Sequence, residues 1–391
     1  MGILIERAER LNKLPPYLFA EIDKAKRKSI QDGKDVIDLG VGDPDMPTFP
    51  HIIKEMAKAI QEPRNHRYAL DSGMPELRES IARWYKNRFS VQLDPGTEIL
   101  PLIGSKEGIA HLPLAFVNQG EIVLVPDPCY PPYKSGTIFA GGEPYLMPLL
   151  EKNGFLPDLE EIEPQAARKA RLIFLNYPNN PTAAVADMDF FENVVYFSFN
   201  NNIIVCHDAA YSEISYDGYK PVSFLEIEGA KEVGIEFHSL SKTFNMTGWR
   251  IGFACGNAQV IGALASVKSN IDSGIFQAIQ YAGIAALNNS SGELLSQLSS
   301  MYQERRDVLV DGLNSLGWKV TKPKATFYVW FSVPSGWTST SFSKLLLEKA
   351  NLIVTPGVGF GKNGEGYIRM ALTVSKERLR EAIGRLKGLK I

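Results

Sequence analysis

The chain of 391 residues is long enough for two domains with a large buried core. Its formal net charge is -2 at pH 7, with acidic and basic residues interspersed, which argues against a nucleic-acid-binding surface or a polybasic membrane patch. Its three cysteines are widely spaced and its five histidines lack metal-binding spacing, so we expect no disulfides, no metal site and a cytoplasmic location.

Charged residues interrupt the short apolar run at the start of the chain, so the N-terminus matches neither a signal peptide nor a membrane anchor. No later stretch approaches the roughly 20 apolar residues that a membrane-spanning helix needs. Residues 1–45 also lie outside the strand and helix alternation that follows, and we expect them to pack against the C-terminal part of the chain.

Apolar runs of strand length alternate with longer amphipathic stretches between residues 46 and 270. Seven strands are predicted, at 99–103, 122–125, 143–147, 172–176, 203–207, 236–239 and 251–255. Helices predicted between them include 105–116, 187–200 and 258–270. This alternation favours an α/β fold with a mainly parallel seven-stranded sheet that helices cover on both faces.

The pattern changes after residue 270. A long helical stretch is predicted at 276–316, followed by strands at 326–333 and 366–372, a helix at 341–350 and a last helix from Lys376. These elements predict a smaller α+β domain. We therefore expect a large domain at 46–270, and a small domain formed by 1–45 and 271–391.

Polar residues follow several predicted strands at their carboxyl ends, where open α/β sheets bind ligands. After the first strand, Gly104 leads to Ser105, which is placed to cap a helix, and the backbone amides of Ser105 and Lys106 could hold a phosphate. After the fourth strand, Asn180 stands before Pro181 in a turn rich in Asn and Pro. Taken alone, each feature more often marks a plain helix start or a plain turn than a ligand site.

Asp208 follows a strand that is too apolar to be exposed, and Tyr211 comes three residues later. A buried carboxylate needs a cationic partner, which could be a protonated ring nitrogen of a cofactor or a structural arginine. Lys242 then follows the sixth strand, between hydroxyl-bearing residues and with Arg250 eight residues on. A lysine in this setting is suited to forming a Schiff base beside a phosphate group.

The stretch SLSKTFNMTGWRIG at 239–252 resembles the cofactor-attachment signature of the class I and II aminotransferases, which are pyridoxal-phosphate enzymes of fold type I. The resemblance extends from DLGVGDPD at 38–45 to YIR at 367–369. Longer stretches, such as GSKEGIAHLPLAFVNQGEIVLVPDPCYPPY and VCHDAAYSEISYDGY, are similar to the LL-diaminopimelate aminotransferases within that family. These enzymes exchange an amino group between LL-2,6-diaminopimelate and 2-oxoglutarate in lysine biosynthesis.

The resemblance implies roles for the matching residues around pyridoxal 5'-phosphate. Lys242 would form the Schiff base and shuttle the proton at the substrate α-carbon. Asp208 would keep the pyridine nitrogen protonated. Asn180 and Tyr211 would hydrogen-bond to the phenolic oxygen of the cofactor, and Tyr130 would stack on its ring. The phosphate would be bound by Ser105, Lys106, Ser239, Ser241, Arg250 and, from the neighbouring subunit of a homodimer with shared sites, Tyr68.

The resemblance also implies a substrate site. Arg369 would pair with the α-carboxylate through both arms of its guanidinium group, and Gly42 would contact the same carboxylate through its backbone. Tyr17 would contact the substrate from the N-terminal segment, and Lys106 would also contact the distal carboxylate. Tyr130 and Asn180 would complete the substrate site.

One residue departs from the family pattern, because Ala183 stands where the turn after Asn180 usually has glycine, and we expect a slightly altered turn. Enzymes of the same family that act on aspartate, alanine or aromatic amino acids remain an alternative, as do lyases that share the fold and the lysine. A regulator with a DNA-binding domain is disfavoured because no basic helical extension precedes the fold. An inactive protein is disfavoured because Lys242, Asp208 and Arg250 are all present.

Overall fold

The computed structural model describes residues 3–14, 18–289 and 292–389. Its strands are β1 (Ile37–Asp38), β2 (Ile99–Leu102), β3 (Ile122–Asp127), β4 (Glu143–Pro148), β5 (Ala170–Leu175), β6 (Ile204–Asp208), β7 (Gly234–Ser239), β8 (Gly252–Gly256), β9 (Tyr328–Ser332), β10 (Leu352–Ile353), β11 (Thr355–Pro356) and β12 (Tyr367–Ala371). Its helices are α1 (Glu9–Asn12), α2 (Leu18–Gln31), α3 (Pro50–Ala59), α4 (Pro75–Phe89), α5 (Ser105–Phe116), α6 (Pro132–Phe139), α7 (Pro164–Lys169), α8 (Met188–Asn201), α9 (Ala230–Val233), α10 (Leu240–Thr243), α11 (Ala258–Ser269), α12 (Gln277–Asn288), α13 (Gly292–Ser315), α14 (Ser339–Ala350) and α15 (Lys376–Lys387).

The large sheet has seven strands in the order β2-β8-β7-β6-β5-β3-β4. Strands β4, β3, β5, β6 and β7 are parallel, whereas β8 runs antiparallel to both of its neighbours. The central strands are buried along nearly their whole length, as expected for a sheet with helices on both faces. The predicted α/β fold with a mainly parallel seven-stranded sheet is therefore confirmed, apart from small differences at the strand ends.

Short polar side chains begin several of the predicted helices. Asp187, Asn257 and Ser375 each accept a hydrogen bond from a backbone amide in the first turn of α8, α11 and α15. Such caps satisfy amides that have no partner within the helix. They explain why helices start close to where the sequence pattern places them.

The predicted long helical stretch at 276–316 is instead two helices, α12 and α13. The sequence from the last residue of α12 to the first of α13, Asn-Asn-Ser-Ser-Gly at 288–292, is poor in helix-forming residues and contains the residue types that end helices. Helix α12 packs on α3 and α4, and its residues Ala282 and Ala286 belong to the core on one face of the large sheet. The domain limits at residues 46 and 270 stay a prediction, and this packing favours a limit after α12.

A second unit lies beside the large sheet. It contains an antiparallel sheet in the order β11-β12-β9, together with α13, α14 and α15. Strand β1 pairs in parallel with β10, which joins the N-terminal segment to this unit. The unit has its own apolar core, formed around Phe327, Phe342 and Leu379. None of the helices in the described ranges is long and apolar enough to span a lipid bilayer.

Candidate active site

Twelve of the predicted site residues line one cavity of about 340 Å³ where the two units meet. A volume of this order suits a small ligand. The lining consists of Val41, Gly42, Ser105, Lys106, Tyr130, Asn176, Asn180, Asp208, Ala210, Tyr211, Ser239, Ser241, Lys242, Thr247, Arg250, Tyr328 and Arg369. The predicted Tyr68 does not line this cavity and is 88% exposed, and the predicted Tyr17 lies outside the described residues.

A larger cleft of about 810 Å³ lies between α4 and α13, but it contains none of the predicted site residues. Its charged residues Arg88 and Glu213 pair with each other, with the guanidinium nitrogen and the carboxylate oxygen 3.1 Å apart. The predicted reactive groups therefore line the smaller cavity. Within the described residues, no cluster of His, Cys, Asp and Glu is suited to hold a metal ion.

Lys242 enters the cavity from α10, directly after the carboxyl end of β7. Its Nζ donates a hydrogen bond of 2.8 Å to the carbonyl oxygen of Gly42. Burial lowers the pKa of Lys242 to about 8. The positive charges of Arg369 and Arg250 also lower this pKa, whereas the negative charge of Asp43 raises it. The amine is thus deprotonated over a pH range in which an ordinary lysine is charged, as a nucleophile requires.

Asp208 is buried at the carboxyl end of β6. Its Oδ2 accepts a hydrogen bond of 2.8 Å from the Tyr133 hydroxyl, and its Oδ1 accepts one of 3.3 Å from the amide of Ala210. Burial raises the pKa of Asp208, and the hydrogen bond from Tyr133 opposes that rise. Among the described residues no arginine or lysine forms an ion pair with Asp208, so a structural arginine is not its partner.

Arg369 is buried on β12 and borders the same cavity as Lys242. Its Nη1 donates to Asn180 Oδ1 at 2.6 Å, and its Nη2 donates to the carbonyl oxygen of Gly40 at 2.7 Å. The guanidinium carbon also lies 4.0 Å from the centre of the Tyr328 ring. These contacts fix the plane of the guanidinium group, which suits it to recognise a planar carboxylate.

The start of α5 and Arg250 also line the cavity. Helix α5 begins at Ser105 and its N-cap is Gly104, so the expectation that Ser105 caps the helix is wrong. Gly104 has φ of 77°, and a Cβ atom there would lie 2.3 Å from Arg250 Nη2. Because Gly104 has no side chain, the guanidinium group of Arg250 can lie next to the start of α5. A helix N-terminus and a guanidinium group together favour an anion.

Among the residues that were not predicted, Asn176 and Tyr328 line the cavity with polar groups and Tyr133 supports it from behind Asp208. Asn176 Nδ2 donates to the carbonyl oxygen of Asp208 at 2.6 Å, and its Oδ1 accepts from the amide of Asn180 at 2.7 Å. Because Asn176 ends an apolar strand next to the Asp208 strand, its position in the sequence could have identified it. No comparable local signal marks Tyr133 or Tyr328.

Tyr328 brings its hydroxyl within 3.1 Å of the Tyr211 hydroxyl, and burial raises the pKa of Tyr211. A Cβ atom on Gly42 would lie 2.0 Å from the Tyr328 hydroxyl oxygen. Only glycine fits at position 42, because its loop lies so close to the Tyr328 ring that a side chain would collide with it. The loop is positioned by this contact and by the hydrogen bond from Lys242.

The turn after Asn180 keeps a compact form with alanine in the usual glycine position. Ala183 has φ of 59°, in the left-handed region, and its amide donates to the carbonyl oxygen of Asn179 at 3.0 Å. An alanine in this region is strained, at a cost of about 1 kcal/mol or more. The surrounding hydrogen bonds hold Ala183 in a conformation that glycine adopts freely.

Comparison with known proteins identifies the fold and family to which this geometry belongs. The family model for aminotransferases of class I and II matches residues 34–386. The chain belongs to the class I and II aminotransferases. The aminotransferase is 58% identical over 383 residues to the LL-diaminopimelate aminotransferase of Moorella thermoacetica, and the match covers 98% of each chain. It is 56% identical over 383 residues to that of Syntrophobacter fumaroxidans, again covering 98% of each.

Among solved structures, the substrate-bound BacF of Bacillus subtilis matches the aminotransferase with a TM-score of 0.95 and 42% identity, over 98% of each chain. The aminotransferase therefore has fold type I. The predicted family, fold and type of enzyme are confirmed.

Proposed function

We propose that this aminotransferase binds pyridoxal 5'-phosphate through Lys242 and exchanges an amino group between LL-2,6-diaminopimelate and 2-oxoglutarate. This reaction would connect tetrahydrodipicolinate to diaminopimelate in lysine biosynthesis. The observation that carries the proposal is one cavity in which Lys242, Asp208 and Arg369 converge. The choice of substrate is supported by identities of 58% and 56% to proteins named for it, over almost the whole chain.

The residues of the cavity fit pyridoxal phosphate at both of its charged ends. Asp208, a buried carboxylate that forms no ion pair with a lysine or arginine among the described residues, would face the protonated ring nitrogen. Arg250 and Ser105 would bind the phosphate together with Lys106, Ser239 and Ser241. Tyr130 would stack on the ring, and Asn180 and Tyr211 would contact its phenolic oxygen. When bound, the cofactor supplies an electron sink for the charge left at the substrate α-carbon.

The chain's own residues would then orient the substrate and move its proton. Arg369 would hold the α-carboxylate, with the backbone of Gly42 beside it. Lys242, whose pKa is lowered to about 8, would accept the proton from the α-carbon and return it at the cofactor. Lys106 and Tyr17 would complete recognition of the substrate.

We also propose a cytoplasmic homodimer with shared active sites. Its support is the position of Tyr68, which is 88% exposed although the family resemblance makes it a phosphate contact. In the dimer, Tyr68 would reach the cavity of the neighbouring subunit rather than its own. Analytical ultracentrifugation would test the assembly, and restored activity on mixing a Tyr68→Phe variant with an inactive Lys242→Ala variant would test the sharing.

The cofactor linkage can be tested on the purified protein. After incubation with pyridoxal phosphate and reduction with borohydride, mass spectrometry should find the pyridoxyl group on the peptide that contains Lys242. After the same treatment, the Lys242→Ala variant should carry no covalently attached pyridoxyl group. A pyridoxyl group on another lysine, or an absorbance spectrum unchanged by borohydride, would contradict the proposed linkage.

A further inference from the structure

The Asp208 carboxylate has one side-chain hydrogen-bond donor among the described residues, the hydroxyl of Tyr133. Tyr133 lies on α6 and is completely buried. Its ring stacks on Phe174 with the ring centres 5.0 Å apart and the planes inclined by 11°. Packing therefore fixes the ring, and the hydroxyl meets Asp208 Oδ2 at 2.8 Å without freedom to point elsewhere.

The neighbouring histidines lower the pKa of Asp208 through space, but neither forms a hydrogen bond with its carboxylate. The Nε2 of His207 accepts a hydrogen bond of 3.2 Å from the backbone amide of Tyr177, so the proton of this ring is on Nδ1, 2.8 Å from Glu236 Oε2. His238 is 2.8 Å from the other oxygen of Glu236, so it is engaged by that carboxylate and not by Asp208.

A proton between Asp208 and a pyridine nitrogen has two possible positions. In one, the O–H bond is intact and the nitrogen is neutral; in the other, the O–H bond has broken, an N–H bond has formed, and carboxylate and pyridinium face each other. The total charge is the same in both. Burial favours the uncharged pair because it avoids desolvating two charges, whereas a hydroxyl that donates to the carboxylate favours the ionised pair.

From this geometry we infer that Tyr133 is a positioning residue for amino transfer, whose hydroxyl keeps Asp208 ionised and thereby keeps the proton on the cofactor's ring nitrogen. The inference rests on the proposed function, since it requires pyridoxal phosphate with its nitrogen facing Asp208. Burial raises the pKa of Tyr133 far above its ordinary value, so the hydroxyl keeps its proton and remains a donor throughout the working range.

The test uses the holoenzyme loaded with pyridoxal phosphate that carries nitrogen-15 in its ring. The nitrogen chemical shift reports directly whether the ring nitrogen is protonated. We expect the protonated shift in the parent enzyme and a move towards the unprotonated shift in Tyr133→Phe, which keeps the stacked ring. Because a hydrogen bond to a charged group is lost, kcat should fall on the order of ten-fold or more, with a smaller change in KM.

Two further variants separate the hydroxyl effect from packing. Tyr177→Phe removes a buried hydroxyl that donates to the carbonyl oxygen of Phe155 at 2.9 Å, away from the cavity, and should leave the nitrogen shift and kcat unchanged. Replacing Tyr133 by 3-fluorotyrosine keeps the ring and gives a more acidic hydroxyl, so the protonated shift should be retained. If Tyr133→Phe does not bind the cofactor, the nitrogen shift of the parent enzyme still tests the inference, because an unprotonated ring nitrogen there would overturn it.

The outcomes distinguish the inference from the function on which it rests. If the parent enzyme carries the cofactor on Lys242 but Tyr133→Phe shows the same nitrogen shift and kcat, the inference is wrong and the proposed function stands. An unprotonated nitrogen in the parent enzyme would also overturn the inference. If the parent enzyme forms no linkage at Lys242, the proposed function itself fails.

Discussion

Two lysines of this enzyme, Lys242 and Lys268, have little solvent exposure. Replacing each by methionine should change the free energy of unfolding in opposite directions. Lys242 borders the cavity and, among the described residues, forms no ion pair with a carboxylate, so burial lowers its pKa to about 8. Lys268 is 1% exposed, but its Nζ lies 3.0 Å from Glu107 Oε1 and 2.6 Å from Asp272 Oδ1. In the cofactor-free protein, Lys242→Met removes an ammonium group that has no carboxylate partner among the described residues. Lys268→Met removes one that pairs with two carboxylates.

The magnitude for Lys242 follows from its pKa. Lowering the pKa from 10.5 to about 8 corresponds to at most about 3.5 kcal/mol, at about 1.4 kcal/mol per pH unit. Because the folded-state pKa is below the unfolded-state value, this cost to stability is fully present below pH 8 and disappears as pH rises towards 10.5. For Lys268, methionine would leave two carboxylates without their cation, at a cost of about 3–5 kcal/mol.

Urea unfolding of the cofactor-free proteins at pH 7 and pH 9.5 would measure both effects. We expect Lys242→Met to unfold at higher urea concentration than the parent at pH 7, by about 2–3 kcal/mol, and to lose about 2 kcal/mol of that advantage at pH 9.5. Lys268→Met should be less stable than the parent at pH 7. A Lys242→Met protein that is less stable than the parent at pH 7 would refute the conclusion that burial lowers the pKa of Lys242. A gain in stability that does not change with pH would refute it as well.

Three other substitutions follow from the geometry. Ala183→Gly relieves a left-handed alanine and should raise the free energy of unfolding by up to about 1 kcal/mol; an unchanged or lower melting temperature would contradict this. Gly104→Ala would place a methyl group 2.3 Å from Arg250 Nη2, so the dissociation constant for pyridoxal phosphate, measured by fluorescence, should rise by about ten-fold or more. Arg369→Lys loses the two-armed carboxylate contact, so steady-state kinetics should show KM for the amino donor rising on the order of ten- to a hundred-fold; an unchanged KM would exclude Arg369 from the substrate site.

The fold could be predicted from the sequence to a large extent, because its strands are apolar and bounded by turn residues. The run Ile204–Asp208, for example, is buried throughout its last four residues and ends in a charged residue at the sheet edge. The error at 276–316 has a local cause as well. The amphipathic pattern resumes after residues 288–292 and hides the break, which is marked only by the Asn, Ser and Gly residues there.

The site was predicted where function depends on position along a strand and missed where it depends on tertiary contacts. Asp208 and Lys242 could be found because the carboxyl ends of neighbouring parallel strands meet at one edge of the sheet. Tyr133 is separated from Asp208 by 75 residues, and Tyr328 from Tyr211 by 117 residues. Those contacts depend on how α6 and β9 pack, and no local pattern encodes that packing. The role proposed for Tyr68 depends on a second subunit.

Amino transfer from LL-2,6-diaminopimelate to 2-oxoglutarate by the purified enzyme tests the central claim most directly. Formation of glutamate and of the cyclised imine product would be followed, with meso-diaminopimelate, aspartate, alanine and phenylalanine as competing donors and Lys242→Ala as the inactive control. We predict that kcat/KM for the LL isomer exceeds that for every other donor by about ten-fold or more. Efficient turnover of a common amino acid with none of LL-diaminopimelate, or release of a cleavage product without glutamate, would contradict the proposed function.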